Sequence, residues 1–174
     1  FLNESFTGAD KGTAIHKFFE LCDFRKAFIN LDEEKHSLLN RGLMTEKELN
    51  VLDASSVEAF LSSDIGQRLL SSQEVLKEYE FAFIKKAGEL YYDISDAIKD
   101  EEIVVQGKLD CAFIENDKAV LIDYKSDNVT DEDSYRNLYS SQLSLYAEAL
   151  EKCTGYKVEE RYVYSFKLKR FIEI

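Results

Sequence analysis

Residues 107–127 read GKLDCAFIENDKAVLIDYKSD. Two apolar runs flank the polar tetrapeptide Glu115-Asn116-Asp117-Lys118, and both runs have the composition of strands. If ENDK, or its inner Asn116-Asp117, forms the turn, Asp110 lies opposite Asp123 and Lys108 lies opposite Lys125. An odd-length loop would break that register. Directly opposed residues of an antiparallel pair have Cβ atoms about 4.5–5.5 Å apart, and like charges there repel. Asp123 and Lys125 share a strand face with Ala119 and Leu121, while Val120, Ile122 and Tyr124 form a second apolar face. Two carboxylates and an ammonium therefore stand at one end of strands that otherwise read as core. Uncompensated, that arrangement is costly. One reading puts both aspartates at solvent-exposed strand ends, with Lys125 in a surface ion pair. The other supplies a divalent cation, because hard ions take carboxylate and carbonyl oxygens plus water. A lysine beside such an ion would stabilise negative charge or orient a water, which suits phosphodiester hydrolysis.

The pattern changes along the chain on either side of this hairpin. Residues 9–29 predict a helix on the spacing of Ile15, Phe18, Phe19, Cys22 and Ile29. Residues 30–73 predict several short helices, with Ser55 and Ser56 as an N-cap before VEAFL. From about residue 75 the period becomes two. EYEFAFIK and GELYYDISDAI are strand-like and are expected to pair as a hairpin. Residues 132–153 predict a helix with a stripe at Tyr135, Leu138, Tyr139, Gln142, Tyr146, Ala149 and Leu150, closed by Gly155 as its C-cap glycine. YKVEERYVYSF and KRFIEI follow as strands. The order predicts an α+β (or α/β) chain with a mixed sheet, mainly helical over 1–74 and sheet-forming over 75–174, in one domain spanning 1–174.

Composition sets the limits on function. A chain of 174 residues is long enough for a substantial core. Its net charge of −12 argues against a diffuse basic surface that grips nucleic acid unaided, but leaves room for a local acidic metal site. No membrane span or signal peptide is visible, and the first residue is Phe1 rather than Met, so the chain is expected to be excised from a longer protein. Cys22, Cys111 and Cys153 have no metal-site spacing and sit in apolar patterns. They predict buried thiols of a reducing compartment, hence a cytoplasmic protein.

GKLD, then DYK thirteen residues after its aspartate, then QLSLY on the next helix, resembles the RecB-type nuclease domain of the PD-(D/E)XK superfamily. The N-terminal GTAIH adds to the likeness, since that family carries a Gly-x-x-x-His helix ahead of its core. GTAIHKFFE, VQGKLDCAF and VLIDYKSDNV are most similar to the nuclease domains of AddA-type helicase–nucleases of bacterial double-strand-break repair. The resemblance implies a PD-(D/E)XK core, a mixed central sheet flanked by helices. It implies metal ligation by His16, Asp110, Asp123 and the backbone carbonyl of Tyr124, and it makes Lys125 the catalytic lysine with Asp110 and Asp123. Gln142 and Tyr146 match a Gln-x-x-x-Tyr motif that orients DNA or supports the site. An acidic residue is expected on the preceding strand, Glu78 by alignment of KEYEF, with Glu80 as the alternative.

The implied activity is Mg²⁺-dependent exonucleolytic hydrolysis of single-stranded DNA, with Mn²⁺ as a substitute and a 5′-phosphate as product. The implied partners are a helicase portion of the same polypeptide and a second, AddB-like subunit. Three scattered cysteines cannot hold the four-cysteine iron–sulfur cluster of some relatives, so no cluster is expected. No phosphate-binding G-x-x-x-x-G-K-[ST] loop is present, so ATP hydrolysis by that route is not expected of this stretch. Two rivals remain: a stand-alone exonuclease of the same superfamily, and a catalytically silent module that docks DNA or a partner protein. Gln142 and Tyr146 also have a structural reading, as buried polar groups satisfied within the core. His36, in DEEKHS, reads as surface, and DNVTDED as a solvated loop.

Overall fold

The computed structural model describes residues 7–91 and 93–174. Helices α1 (Gly8–Leu21), α2 (Phe24–Ile29), α3 (Leu31–Asn40), α4 (Glu46–Asn50), α5 (Ala54–Ser62) and α6 (Asp64–Ser71) come first. Strand β1 (Glu74–Lys86), the short α7 (Ala87–Leu90) and a 3₁₀ turn (Asp96–Ile98) lead to β2 (Glu102–Glu115) and β3 (Lys118–Lys125). Helix α8 (Glu132–Thr154) crosses to β4 (Lys157–Ser165), and β5 (Arg170–Glu173) closes the sheet. The five strands lie in sequence order. β1, β2 and β3 form an antiparallel meander, β3 and β4 are parallel, and β5 returns antiparallel. The fold is α+β, a mixed sheet covered by helices on both faces.

The central hairpin turns on Asn116 and Asp117 alone. Both have positive φ (50° and 59°), the backbone of a two-residue type I′ turn. Its ladder runs from Glu115–Lys118 to Cys111–Ile122, one step short of Asp110 and Asp123. Lys108 does not reach Lys125. It pairs with Glu80 of β1, because β2 continues past β3 as a two-stranded ribbon.

Two apolar clusters fill the faces. Ile15, Phe18, Phe19, Phe60 and Leu61 of the N-terminal helices pack on Phe113, Val120, Ile122 and Tyr124. Tyr135, Leu143 and Leu150 of α8 pack on Leu109, Ala112, Leu121 and Val163. The strands exchange faces at Glu78 and Asp110. Before Glu78, even-numbered Leu76 packs on the α8 side; beyond it, odd-numbered Tyr79 does, and the Phe81 ring meets Tyr146. On β2, Leu109 and Ala112 join the same cluster although they are three positions apart, an odd step that regular alternation would send to opposite faces. Glu78 carries the irregularity: its φ is 47°, a left-handed backbone for which a non-glycine residue costs about 1–3 kcal/mol.

Several sequence expectations are corrected. The helix over 9–29 is two helices, because Asp23 accepts hydrogen bonds from Arg25 and Lys26 N–H and starts α2 afresh. The cap of α5 is Asp53, which accepts from Ser55 N–H, so Ser55 and Ser56 lie inside the first turn. GELYYDISDAI is not a strand: its described residues hold α7 and the 3₁₀ turn, and β1 takes β2 as its partner. Leu138 is 60% exposed, and Leu143 takes the buried place in the α8 stripe. Cys22 and Cys111 are buried, whereas Cys153, near the end of α8, is exposed.

The α5–α6 corner depends on one close approach. A Cβ on Gly66 would stand 2.1 Å from the Phe60 carbonyl oxygen. Gly66→Ala is expected to cost about 1–3 kcal/mol. Gly8→Ala, where nothing lies within 4 Å, should be neutral or gain up to ~1 kcal/mol. Denaturant unfolding of the two variants measures the difference, and equal stabilities would contradict this packing.

Candidate metal centre

The site begins with a glycine. Gly12 lies one helical turn before His16 on α1, and a Cβ there would stand 2.9 Å from Ser126 Oγ. The bare position lets α1 run against the end of β3. His16 then meets the sheet from the helical side, its ring edge-on to Tyr124 at 5.8 Å between centroids. Tyr124 is buried among Phe19 and Phe60, which fixes that platform.

Three acidic side chains converge beside it. His16 Nδ1 lies 3.3 Å from Asp110 Oδ1 and 3.8 Å from Glu78 Oε1. One ligand atom each from His16, Glu78 and Asp110 fall within 4.8 Å of one another. The other Asp110 oxygen accepts from Tyr124 N–H at 2.6 Å. Asp123 is 1% exposed, and its Oδ2 lies 2.5 Å from Lys125 Nζ. Glu78 Oε2 lies 2.6 Å from Lys108 Nζ. Each carboxylate thus has a basic neighbour: His16 for Asp110, Lys125 for Asp123, and both Lys108 and His16 for Glu78.

Glu78 Oε1 and Asp123 Oδ2 are buried and held by charge, with His16 Nδ1 at 3.8 Å from the first and Lys125 Nζ at 2.5 Å from the second. Burial first, then the Asp110 charge, push the Asp123 carboxyl up to about 6, against the pull of Lys125 and His16. Burial by itself would lower the His16 pKa, but its contact with Asp110 and the charges of Asp110 and Glu78 outweigh this and hold the ring above its ordinary value. Buried carboxylate oxygens gathered next to an imidazole fit a divalent cation. His16, Glu78 and Asp110 are the residues already gathered, with Asp123 adjacent.

The remaining expected residues fall around this cluster. Gln142 Nε2 donates to the Tyr146 hydroxyl at 2.8 Å, one turn apart on α8. The Tyr146 pKa is raised by burial first, with Asp123 and Asp110 adding to it, so the pair lies within electrostatic reach of the carboxylates. Glu80 is exposed on the ribbon and pairs across to Lys108; Glu78 is the acid that reaches His16. His36 is exposed and its Nδ1 contacts the Asp32 carbonyl of its own helix. Two residues read only as loop or helix stripe also reach the site. Asp127 is half-buried, and the Tyr139 ring lies under Lys125 Nζ at 4.7 Å. The sequence marks them only as an aspartate two residues after the lysine and tyrosines one turn apart in the next helix, patterns common without any site.

A family model described as PD-(D/E)XK nuclease superfamily matches residues 2–171. The chain belongs to that superfamily, whose members use divalent metal ions. Among curated proteins it is similar to the A subunit of the ATP-dependent helicase/nuclease of Alkaliphilus oremlandii, 38% identical over 174 residues covering 98% of this chain. It is also similar to the protein of the same name from Clostridium botulinum strain Kyoto, 36% identical over 169 residues covering 95% of the chain. The chain spans only 14% and 13% of the length of these two relatives.

The buried Asp123 gives the metal-free protein a pH signature. A carboxyl whose folded pKa is about 6, raised from 3.8, favours the fold fully below 3.8. That contribution is lost as pH rises through about 6. In chelator, Asp123→Asn should lack this dependence and gain on wild type as pH rises, by at most ~3 kcal/mol at neutral pH. Saturating Mn²⁺ should shrink the gain. Thermal unfolding of both proteins across the pH range measures it, and parallel curves in chelator would contradict a strained Asp123.

Proposed function

We propose that this chain is a metal-dependent deoxyribonuclease module that hydrolyses phosphodiester bonds of single-stranded DNA exonucleolytically. The observation that carries the reading is the end of β3, where buried Asp123 and Lys125 stand against Asp110 and His16. His16, Asp110, Asp123 and the Tyr124 carbonyl would hold Mg²⁺, or Mn²⁺ in its place, with Glu78 supporting them. The ion, when bound, would neutralise phosphoryl charge and acidify a water. Lys125 brings its positive charge against Asp123. Its ammonium would orient the attacking water or stabilise charge developing on the phosphate, an electrostatic contribution that grows where water is excluded. Gln142 and Tyr146 would orient the strand from the α8 side. Asp110 is held by Tyr124 N–H and His16, so its carboxylate is set before any ligand arrives.

We infer a wider setting from the relatives, whose name pairs a helicase with a nuclease. The chain would act as one nuclease domain of a longer cytoplasmic polypeptide in bacterial double-strand-break repair and recombination, beside a helicase portion and an AddB-like partner. The net charge of −12 supports that arrangement, since a motor delivering the strand replaces the basic surface that unaided capture needs. Among the described residues no helix is long and apolar enough to cross a membrane.

The test is cleavage of end-labelled single-stranded DNA. Wild type should cut with Mg²⁺ or Mn²⁺, weakly and with steep salt dependence, and not with chelator. Lys125→Ala and Asp123→Ala should each lose at least ~10²-fold in rate while keeping a cooperative unfolding transition. No cleavage by folded, metal-replete wild type would favour a silent docking module. Near-wild-type cleavage by either variant would overturn the site.

A further inference from the structure

Lys125 has a second neighbour besides Asp123. Its Nζ lies 4.7 Å from the centroid of the Tyr139 ring, on α8. We propose that Tyr139 is a positioning residue, an aromatic seat that holds the Lys125 ammonium in the site, and that Asp127 fixes the seat. The proposal rests on the nuclease reading above.

The seat is built from both ends. The Tyr139 hydroxyl donates to Asp127 Oδ2, and the Tyr135 hydroxyl donates to Asp127 Oδ1 at 2.9 Å. The two rings stand 5.9 Å apart, one helical turn along α8. Tyr135 is fully buried and shares a 2.8 Å hydrogen bond with the buried Ser165 hydroxyl. Ser165 is the ladder partner of Lys125 on β4, and Phe166 N–H donates to the Lys125 carbonyl at 3.0 Å. The backbone of Lys125 is therefore anchored by β4, and its side chain runs between the Tyr139 face and Asp123. A flexible four-carbon stem gives lysine no fixed direction of its own. A tyrosine face attracts the ammonium without a competing proton acceptor, and donation of its hydroxyl to a carboxylate makes the ring more electron-rich. Asp127 lies two residues beyond Lys125, so the loop that follows the lysine closes on the ring beneath it.

A merely structural role would have the Tyr139 hydroxyl tie down the loop, with the ring as filler. Two substitutions separate the roles. Tyr139→Phe keeps the face and loses the bond to Asp127; Tyr139→Leu loses both and keeps helix propensity. Wild type and Lys125→Ala are assayed first, so that failure of the nuclease reading shows as an inactive wild type. In an active enzyme, Tyr139→Leu should lower kcat on single-stranded DNA at least tenfold, with KM and the Mn²⁺-induced rise in Tm unchanged. Tyr139→Phe should show a smaller but measurable fall, about a third of that effect on a logarithmic scale, the part that Asp127 supplies by fixing the ring; no fall at all would remove Asp127 from the seat. Loss in KM or in the metal-induced rise, equal loss in both variants, or a kcat within twofold of wild type for Tyr139→Leu would each overturn the seat. If Tyr139→Leu does not fold, stepwise fluorination of a phenylalanine placed at position 139 keeps the shape and weakens the face. A stepwise fall in kcat supports the seat, and a flat series overturns it.

Discussion

Three carboxylates crowd one end of a half-buried sheet, and the surrounding structure answers that crowding. Two unit charges about 4 Å apart repel by roughly 4 kcal/mol at an effective dielectric constant of 20. The chain meets this with three basic groups drawn from three places: His16 on α1, Lys108 on the ribbon of β2, and Lys125 at the end of β3. At Glu78 Oε1 and Asp123 Oδ2 the pairing is by charge, and both oxygens stay buried without a hydrogen-bond donor other than the facing cation. A folded protein rarely buries such oxygens with so few donors unless a ligand or a function uses them.

The crowding depends on a break in the sheet. Because β1 and β2 exchange faces at Glu78 and Asp110, residues there serve neither core. Asp110 can meet His16 from the helical side while its charge bears on Asp123, which belongs to the α8 face. The left-handed backbone of Glu78 is the local cost of that exchange. Gly12 is its counterpart on α1, a missing side chain that lets the helix approach Ser126. The proposed centre is thus assembled from α1, β1, β2 and β3, and all of them must be packed before the acids converge.

Much of this was legible in the sequence. An even loop within ENDK was the condition for the expected hairpin register, and the two-residue turn at Asn116-Asp117 meets it, with a ladder from Glu115–Lys118 to Cys111–Ile122. Gly155, with φ of 83°, ends α8 where a C-cap glycine belongs. The resemblance carried by GTAIH, GKLD, DYK and QLSLY implied His16, Asp110 and Asp123, which lie together, and of its two acidic candidates Glu78 rather than Glu80 is the one beside His16. What was not legible depends on tertiary context. GELYYDISDAI alternates like a strand, yet β2 is the partner that β1 takes. A left-handed glutamate has no sequence signal, so the hairpin pattern sets Lys108 against Lys125 instead of beside Glu78. Asp127 and Tyr139 sit in stretches whose patterns, a polar loop and an amphipathic stripe, are common without any site.

The central claim is that these acids and His16 form one divalent metal centre. Anomalous diffraction from crystals grown with Mn²⁺ tests it most directly. A strong peak is expected, bounded by His16, Asp110 and Asp123 with Glu78 beside it, and lost from crystals of Asp110→Asn. No peak there in the wild type, or a peak held by other residues and unchanged in the variant, would contradict it.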